Sequence, residues 1–431
     1  MSMVVKNNMS AISTLNTLNK NSSALASSLK KVSSGMKINS AADDASGYAI
    51  SERMRVQIRG LDQANQNTQN GTSMMKVAEG AVSSTVDILK TLKEKVINAA
   101  NDTNTDADRA TIQKELDQSI DQINDNANVT YNGKYLVDGS HNSKVTATTT
   151  ALTNESLASE TKASDAFSTL KDRNGNSLNI QKSDTITMSV VKEGKTSTFS
   201  VTGDKSLKDL VTLGSKMLST DIGETSTIGS DVAGDTVSTA DGGQALTIHA
   251  SSTGVTNQVS GLTFSVTNTK GQVQKSANAI LDNFSESIRA QNTSNDNAIN
   301  LQVGTKANQS IRVGLTDMRA EALGLQSSNG TTLNIGTQQN ANAAINVLDN
   351  AVQKALDQQT TIGSVQSRLS YTSSNLTTAS ENVQASESTI RDADMAKEMT
   401  EYTKNNVLLQ AAQSMLAQAN QSSSSVLSLL Q

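Results

Sequence analysis

Residues 345–390 read INVLDNAVQKALDQQTTIGSVQSRLSYTSSNLTTASENVQASESTI, with an apolar residue at every seventh position. These positions are Leu348, Ala355, Ile362, Leu369, Leu376, Val383 and Ile390. A heptad repeat sustained over this length predicts one long helix with a coiled-coil stripe. The companion positions begin apolar, at Ile345 and Val352, and then become polar. The stripe is therefore narrow, and the helix is expected to pack on a few partners rather than in a symmetric dimer.

Residues 11 to about 130 show the same type of pattern. Apolar residues spaced three and four apart run through Leu15, Leu18, Leu25, Leu29, Val32 and Met36, with Ser22 as a polar gap, and resume at Met75, Ala78, Val82, Thr85, Leu89, Leu92, Val96 and Ala99. Gly47 and Gly60 predict a break between the two stretches. A third helix is predicted through Ile112, Leu116, Ile120 and Ile123, followed by a turn at Asn132-Gly133. A last helix is predicted near the other end of the chain, through Tyr402, Leu409, Ala412, Leu416 and Ala419.

The middle of the chain has a different composition. From about residue 141 it is rich in Thr, Ser, Gly and Asp, and all four Phe lie between this point and residue 284. Residues 185–190 and 196–201 alternate around Glu193-Gly194-Lys195, which predicts a β-hairpin. A short helix at 207–217 and strands at 246–249 and 262–266 complete a separate α+β domain.

Together these patterns predict a mainly α protein. Long antiparallel helical arms from both termini are expected to form a coiled-coil rod, with a central, β-rich α+β insert. The expected segments are 1–42 (N-terminal helix), 43–140 (first half of the rod), 141–295 (β-rich insert), 296–391 (second half of the rod) and 392–431 (C-terminal helix). The two terminal segments each offer one thin apolar stripe, so we expect them to order only when identical chains pack together.

Composition excludes several functions. The chain has no Cys, no Pro and only two His, His141 and His249, which are far apart and outside any metal-ligand spacing. Asp43-Asp44 is better explained as a turn or helix start than as a cation site. A net charge of −5 without a basic block argues against nucleic acid, and no apolar stretch is long enough for a signal or membrane span. We expect no cofactor, no metal, no catalytic residue and no membrane insertion.

Specific motifs appear at both ends. Residues 31–50 read KVSSGMKINSAADDASGYAI, residues 390–396 read IRDADMA, residues 416–421 read LAQANQ and residues 426–430 read VLSLL. This combination resembles the bacterial flagellins. The positions that match the N-terminal flagellin signature are Ser34, Gly35, Asn39, Asp43, Asp44, Gly47 and Ala49.

The resemblance implies a secreted, extracellular structural subunit of the flagellar filament, which assembles with itself for motility after export through the flagellar type III channel. It implies that both termini form a coiled-coil inner tube on polymerisation. The implied partners besides the chain itself are an export chaperone, the export gate, the filament cap and the hook-junction proteins. The residues expected to make polymerisation contacts are Leu15, Leu18, Leu25, Leu29, Val32, Leu409, Leu416, Val426, Leu427, Leu429 and Leu430.

The resemblance also implies a weak partner, the vertebrate Toll-like receptor that detects flagellins. Those that it detects carry an Arg and then a Leu on the central helix, and a Glu on the next helix. Here Thr91 and Lys95 occupy the first two positions and Glu115 the third. Thr91 lacks the guanidinium fork and Lys95 replaces an apolar contact by a charge, so weak activation is expected.

Other functions remain compatible with long helices around an insert. A hook-filament junction protein shares the two-arm plan, and a secreted coiled-coil adhesin or type III translocator could have it too. The motifs at both ends favour the filament subunit. An enzyme is disfavoured by the absence of any catalytic constellation.

Overall fold

The computed structural model describes residues 8–429, with side chains as far as residue 422. Its helices are α1 (Met9–Ser34), α2 (Ala45–Ala99), α3 (Asp106–Ala127), α4 (Leu207–Leu213), α5 (Lys275–Leu281), α6 (Ala320–Leu323), α7 (Gln338–Arg391) and α8 (Met395–Leu429). Its strands are β1 (Thr130–Tyr131), β2 (Lys134–Tyr135), β3 (Ala151–Asn154), β4 (Thr185–Lys192), β5 (Lys195–Thr202), β6 (Leu218–Thr225), β7 (Thr227–Ser230), β8 (Thr236–Ser238), β9 (Ala245–Ala250), β10 (Val259–Thr267), β11 (Phe284–Ile288), β12 (Ile299–Gln302) and β13 (Ser310–Val313). The predicted class, long terminal helices around a β-rich centre, is confirmed.

The chain divides into two compact units. The first takes the chain as far as Thr68, the loop Gln302–Gln309 and the chain from Tyr371 onward. The second takes Gln69–Leu301 and Ser310–Ser370. The long helices α2 and α7 each contribute residues to both units.

In the first unit, two pairs of helices lie antiparallel. α1 packs along α8, and the beginning of α2 packs along the end of α7. In the second pair, Ser373 Oγ donates to Asn65 Oδ1 at 2.7 Å. Leu61, Ala64 and Leu376 are buried there.

The helical core of the second unit confirms the predicted periodicity. The predicted positions of α2 from Met75 to Ala99 are all buried, as are Leu116, Ile120 and Ile123 of α3. Leu348, Ala355, Ile362 and Leu369 of α7 are fully buried. The predicted turn at Asn132-Gly133 is also confirmed, since both residues have positive φ between β1 and β2.

The predicted break at Gly47 and Gly60 is wrong, because α2 runs without interruption through both residues. Each glycine instead allows a close approach. A Cβ at Gly60 would lie 3.0 Å from Thr305 Cγ2 in the loop Gln302–Gln309, and one at Gly47 would lie 2.5 Å from Asp44 Oδ2. At these two positions, glycine allows a neighbouring group to approach the helix closely and does not mark the end of the helix.

The insert contains two larger antiparallel sheets, in the orders β10-β4-β5 and β11-β3-β9-β6, and a two-stranded one, β7-β8. The predicted hairpin is confirmed as β4 and β5. Its two-residue turn is Glu193-Gly194, with φ of 51° and 71°, the left-handed geometry that suits tight hairpins. Apolar residues of the two larger sheets and of α4 and α5 form one buried cluster. Within it the ring centres of Phe264 and Phe284 lie 5.4 Å apart.

The outer edge of β10 is capped by side chains instead of a further strand. Asn346 and Asn350 of α7 donate to the carbonyls of Leu262 and Ser260, each at 3.0 Å. Beyond these amides, Lys354 Nζ lies 3.1 Å from Glu286 Oε1, and both side chains are buried. An edge covered in this way offers no template for pairing with another chain, and the insert is fixed along α7.

The capping continues from α5. Asn278 Oδ1 accepts the backbone N–H of Val266 at 2.7 Å, and the carboxylate of Asp282 accepts that of Phe264. Burial raises the pKa of Asp282 to about 6, and the hydrogen bond from Phe264 only partly opposes this.

We expect Asp282→Asn to stabilise the insert at neutral pH. The folded-state pKa of Asp282 is raised, so the folded chain binds a proton that the unfolded chain releases, and stability falls as pH rises from about 4 through 6. Asn keeps the acceptor without the buried charge. Thermal unfolding followed by circular dichroism at several pH values should show a higher Tm at neutral pH and a weaker pH dependence. Asp235→Asn, at an exposed position, is the control. An unchanged pH dependence in Asp282→Asn would contradict the assignment.

Candidate functional site: the paired terminal helices

The predicted polymerisation residues fall on two different faces of α1. Leu18, Leu25 and Val32 are half-buried. They share a helix face with Asn21 and Ser28, which bond to α8. These three apolar residues therefore belong to the seam within one chain.

Leu15 and Leu29, by contrast, are 45% and 51% exposed. The column that accompanies Leu18, Leu25 and Val32 is not Leu15, Ser22 and Leu29 but Thr14, Asn21 and Ser28, one residue earlier in each heptad. Half of the α1 seam is thus polar.

On α8 the predicted column does form the seam. Leu409 and Leu416 are half-buried and Ala412 is buried. They share a face with Asn405, whose Nδ2 donates to Ser28 Oγ at 3.0 Å. The side chains of Val426, Leu427 and Leu429 lie outside the described part of the chain, and so does Leu430 entirely.

Further polar contacts join the two helices along their length. Asn8 Nδ2 donates to the carbonyl of Ala419 at 3.0 Å, and Asn21 Nδ2 to that of Leu408 at 3.2 Å. At the other end of α1, Lys31 Nζ lies 3.7 Å from Glu398 Oε1. All these contacts belong to one antiparallel register.

The outward side of the pair carries apolar side chains that nothing covers. On α1 these are Met9, Ile12, Leu15 and Leu29, and on α8 they are Met399, Val407, Leu408 and Met415, between 42% and 70% exposed. Met399, Val407 and Met415 are spaced by eight residues and therefore follow one ridge of the helix. This α8 row was not predicted from the sequence, although its members alternate with Thr403 and Ala411 at a spacing of four residues.

The signature residues build the joint between α1 and α2. Gly35 ends α1 in the left-handed conformation, with φ of 71°. Asn39 Nδ2 donates to the carbonyl of Met36 at 3.0 Å. Asp43 accepts the backbone N–H groups of Ser40 and Asn39, and these bonds hold its pKa below the usual value.

Asp44 begins α2. Its Oδ1 accepts the N–H groups of Ser46 and Gly47, each at 3.0 Å. The predicted turn and helix-start role of Asp43-Asp44 is confirmed. Ser34 Oγ accepts from the N–H of Met36 at 3.2 Å, and Ala49 is exposed on α2.

Arg391 connects this joint to the one between α7 and α8. Its Nη1 lies 2.7 Å from Glu52 Oε1, and its guanidinium lies 5.5 Å from the centre of the Tyr48 ring. Two backbone bonds, Lys37 N–H to the Arg391 carbonyl at 2.7 Å and Ala393 N–H to the Gly35 carbonyl at 2.9 Å, tie the two connections together. Both arms of the chain are therefore interrupted at the same level of this unit.

The proposed receptor-facing residues lie on α2 and α3. Thr91 is exposed and its hydroxyl donates to the Asp87 carbonyl at 3.0 Å. Lys95 Nζ lies 3.0 Å from Glu115 Oε1. The carboxylate that the resemblance assigns to the receptor is thus paired within the chain.

The histidines do not meet. His141 Nδ1 lies 3.2 Å from the Asn297 carbonyl, whereas His249 is half-buried in β9, where burial lowers its pKa. Across residues 8–422, whose side chains the structure describes, no group of His and carboxylate residues could hold a metal ion. No described helix combines the length and apolarity needed to cross a bilayer.

Comparison with known proteins points to one family. The model of the bacterial flagellin N-terminal helical region matches residues 5–142, and that of the bacterial flagellin C-terminal helical region matches residues 345–430. A flagellin of Clostridium tyrobutyricum is 34% identical over 97% of this chain and 99% of its own. A flagellin of Bacillus subtilis is 29% identical over 99% of this chain and all of its own.

Solved structures show a weaker likeness. FliC from Burkholderia pseudomallei matches with a TM-score of 0.26 and 18% identity, covering 69% of this chain and 99% of its own. A flagellar hook-associated protein from Legionella pneumophila matches with a TM-score of 0.34 and 15% identity, covering 78% and 97%. At these scores the likeness adds nothing to the assignment, which rests on the sequence matches.

We expect Arg391→Ala to destabilise the first unit by about 0.5–3 kcal/mol, because the joint loses a buried guanidinium together with its packing on the Tyr48 ring and its bond to Glu52. Urea unfolding measures the loss, and hydrogen exchange at residues 35–44 should accelerate. Arg59→Ala, at an exposed position of α2, the helix that carries Glu52, is the control. Equal stability of the two variants would show that Arg391 does not hold the joint.

Proposed function

The chain belongs to the bacterial flagellin family and is a structural subunit of the bacterial flagellar filament, and from this premise we propose that copies assemble through the outward face of the α1–α8 pair. The observation that carries the proposal is the set of exposed apolar residues on that face. Isolated apolar residues on a surface are ordinary, but rows on both helices of one pair mark an interaction site.

Burial of this face between copies supplies the driving force. Covering a side chain of the size of Val or Leu contributes about 1.5–3 kcal/mol. A contact that joins the α1 row of one copy to the α8 row of the next is heterologous, and heterologous contacts that do not close into a ring give open filaments. The proposed tube contacts therefore divide into two sets, with Leu18, Leu25, Val32, Leu409 and Leu416 joining α1 to α8 and with Leu15 and Leu29 facing the next copy.

The proposed segments follow from the joints. Asp43 and the connection from Arg391 to Met395 support boundaries at 42/43 and 391/392, with residues 1–42 and 392–431 as the inner-tube helices. The strands of the two insert sheets, from Ala151 to Ile288, fall within the proposed insert 141–295. Residues 43–140 and 296–391 then form the two halves of the rod.

Export and its partners extend the proposal. A subunit that crosses the type III channel unfolded has to order its ends at the assembly site, and the thin seam between α1 and α8 suits ordering on polymerisation. The export chaperone, the export gate, the cap and the hook-junction proteins are the corresponding partners, and the assembled subunit is extracellular. Flagellins are structural proteins, and we propose no enzymatic activity for this one.

The hook-filament junction protein and the adhesin remain weaker candidates. Both flagellin family models match, and the flagellin of Clostridium tyrobutyricum aligns over nearly the whole chain. This supports the filament subunit over its rivals.

We expect Val407→Asp to abolish elongation of filament seeds, because it places a charge in the apolar contact between copies. Light scattering measures elongation, and thermal unfolding of the monomer should be unchanged. Gln410→Asp adds the same charge at an exposed α8 position outside the apolar row and should elongate normally. Normal elongation by Val407→Asp would move the interface away from this face, and failure of the unmodified chain to extend seeds would refute the filament function.

We expect weak activation of the vertebrate Toll-like receptor by this chain. The Lys95–Glu115 pair supports this, since the carboxylate is engaged and a charge replaces the apolar contact. Thr91→Arg combined with Lys95→Leu should increase signalling by endotoxin-free monomer in reporter cells, and Lys90→Arg on the same helix should not. Strong signalling by the unmodified chain would contradict the prediction.

A further inference from the structure

The seam between α1 and α8 has one apolar and one polar column on the α1 side. Ala11, Leu18, Leu25 and Val32 form the apolar column, and Thr14, Asn21 and Ser28 form the polar one. Apolar columns with a heptad repeat fit one another equally well after a shift of one heptad, because each Leu meets another small or branched apolar residue. The apolar column therefore holds the helices together without fixing their alignment.

One polar contact distinguishes the alignments. Ser28 is 5% exposed, so its hydroxyl has to be satisfied within the protein, and Asn405 Nδ2 donates to it. One heptad before Ser28, Asn21 Nδ2 donates to the Leu408 carbonyl, and this bond holds the helices together without distinguishing alignments, because a backbone carbonyl recurs in every heptad. A shift by one heptad in one direction brings Ser28 opposite Ala412, which has no polar side chain, and a shift in the other direction brings it opposite Glu398. Either shift separates Ser28 from the amide of Asn405, and the first leaves the buried hydroxyl without a side-chain partner.

We propose that Asn405, with Ser28, sets the antiparallel register of α1 and α8, and thereby the geometry in which the subunit joins the filament. The inference rests on the proposed assembly through this helix pair. These residues are positioning residues. They act by excluding alternative alignments when the two ends of the chain meet, as a single buried Asn does in coiled coils.

The reason for such a device lies in the length of chain between the two helices. α1 ends at Ser34 and α8 begins at Met395, so the pairing joins two segments that are far apart in the sequence. Once the Arg391 joint has formed, its backbone bonds also hold one end of the pair. Until then the Asn405–Ser28 contact distinguishes the alignments, and an error of one heptad displaces the outward rows by about 10 Å. In such a chain, Leu15 and Val407 would be displaced from the positions where they contact the neighbouring copies.

The test uses the absence of Cys from the chain. Spin labels are placed on Ser23→Cys of α1 and Gln410→Cys of α8, both at exposed positions. Labelled chains are copolymerised with a large excess of unlabelled wild type, so that the measured electron–electron distance is within one chain. The wild type should give one narrow distance.

Asn405→Leu should retain helical pairing but give a broadened distribution or a second distance, because a shift of one heptad moves one label by about 10 Å along the helix axis. Ser28→Asn with Asn405→Ser exchanges the two partners, restores the hydrogen bond and should restore the single distance. Asn16→Leu makes the same chemical change as Asn405→Leu at an exposed α1 position outside the seam and should leave the distance unchanged.

A single unchanged distance in Asn405→Leu would overturn the inference, and so would broadening in the exchanged double variant. If Asn405→Leu is not incorporated, the exchanged variant decides, because restored incorporation with a single distance supports the register role and its failure refutes it. Absence of any defined distance in wild-type filaments would instead refute the proposed α1–α8 pairing itself.

Discussion

The pairing of α1 with α8 is the interaction on which the proposed assembly of this chain depends. Its seam is narrow, with Leu18, Leu25 and Val32 on one side and Leu409, Ala412 and Leu416 on the other, and it is interrupted by asparagine and serine. Apolar burial has to compensate the loss of conformational entropy when two long segments order. A seam of this kind, with half of its α1 side polar, does so poorly by itself. In the proposed assembly, burial of the outward rows by neighbouring copies supplies the remaining stabilisation.

The joint around Arg391 gives this pairing its starting point. Backbone hydrogen bonds join Gly35 and Lys37 to Ala393 and Arg391, at the level where both arms are interrupted. The end of α1 therefore lies beside the beginning of α8. The signature residues Asn39, Asp43 and Asp44 serve this geometry through turns and a helix start rather than through chemistry with a ligand. The close match to the flagellin signature thus has a local physical explanation.

Sequence periodicity predicted the helices well where burial is complete. The α7 column from Leu348 to Leu369 and the α2 column from Met75 to Ala99 are buried because a full apolar stripe can face only the core. The β-hairpin was predictable because Glu193-Gly194 interrupts strict alternation. The order of strands in the two sheets was not, since it depends on contacts between distant segments, such as Asn346 with the edge of β10.

Prediction failed where the pattern was ambiguous. Near the N-terminus, the spacing allows either Leu15 and Leu29 or Asn21 and Ser28 to accompany the seam residue Leu25. The apolar pair was predicted, but the polar pair forms the seam with α8. The missed residues, Arg391 and Asn405, are polar, and no periodic signal separates a buried polar residue from an exposed one. Gly60 resembled a break because its partner, Thr305, is distant in sequence.

Hydrogen exchange of the monomer and of the seeded filament tests the coupling of folding to assembly most directly. We expect the amides of α1 and α8 to exchange rapidly in the monomer and slowly in the filament. The amides of buried α2 residues such as Leu89 should exchange slowly in both. Equal protection of α1 and α8 in monomer and filament would contradict this coupling, because the terminal pair would then be stable without its neighbours.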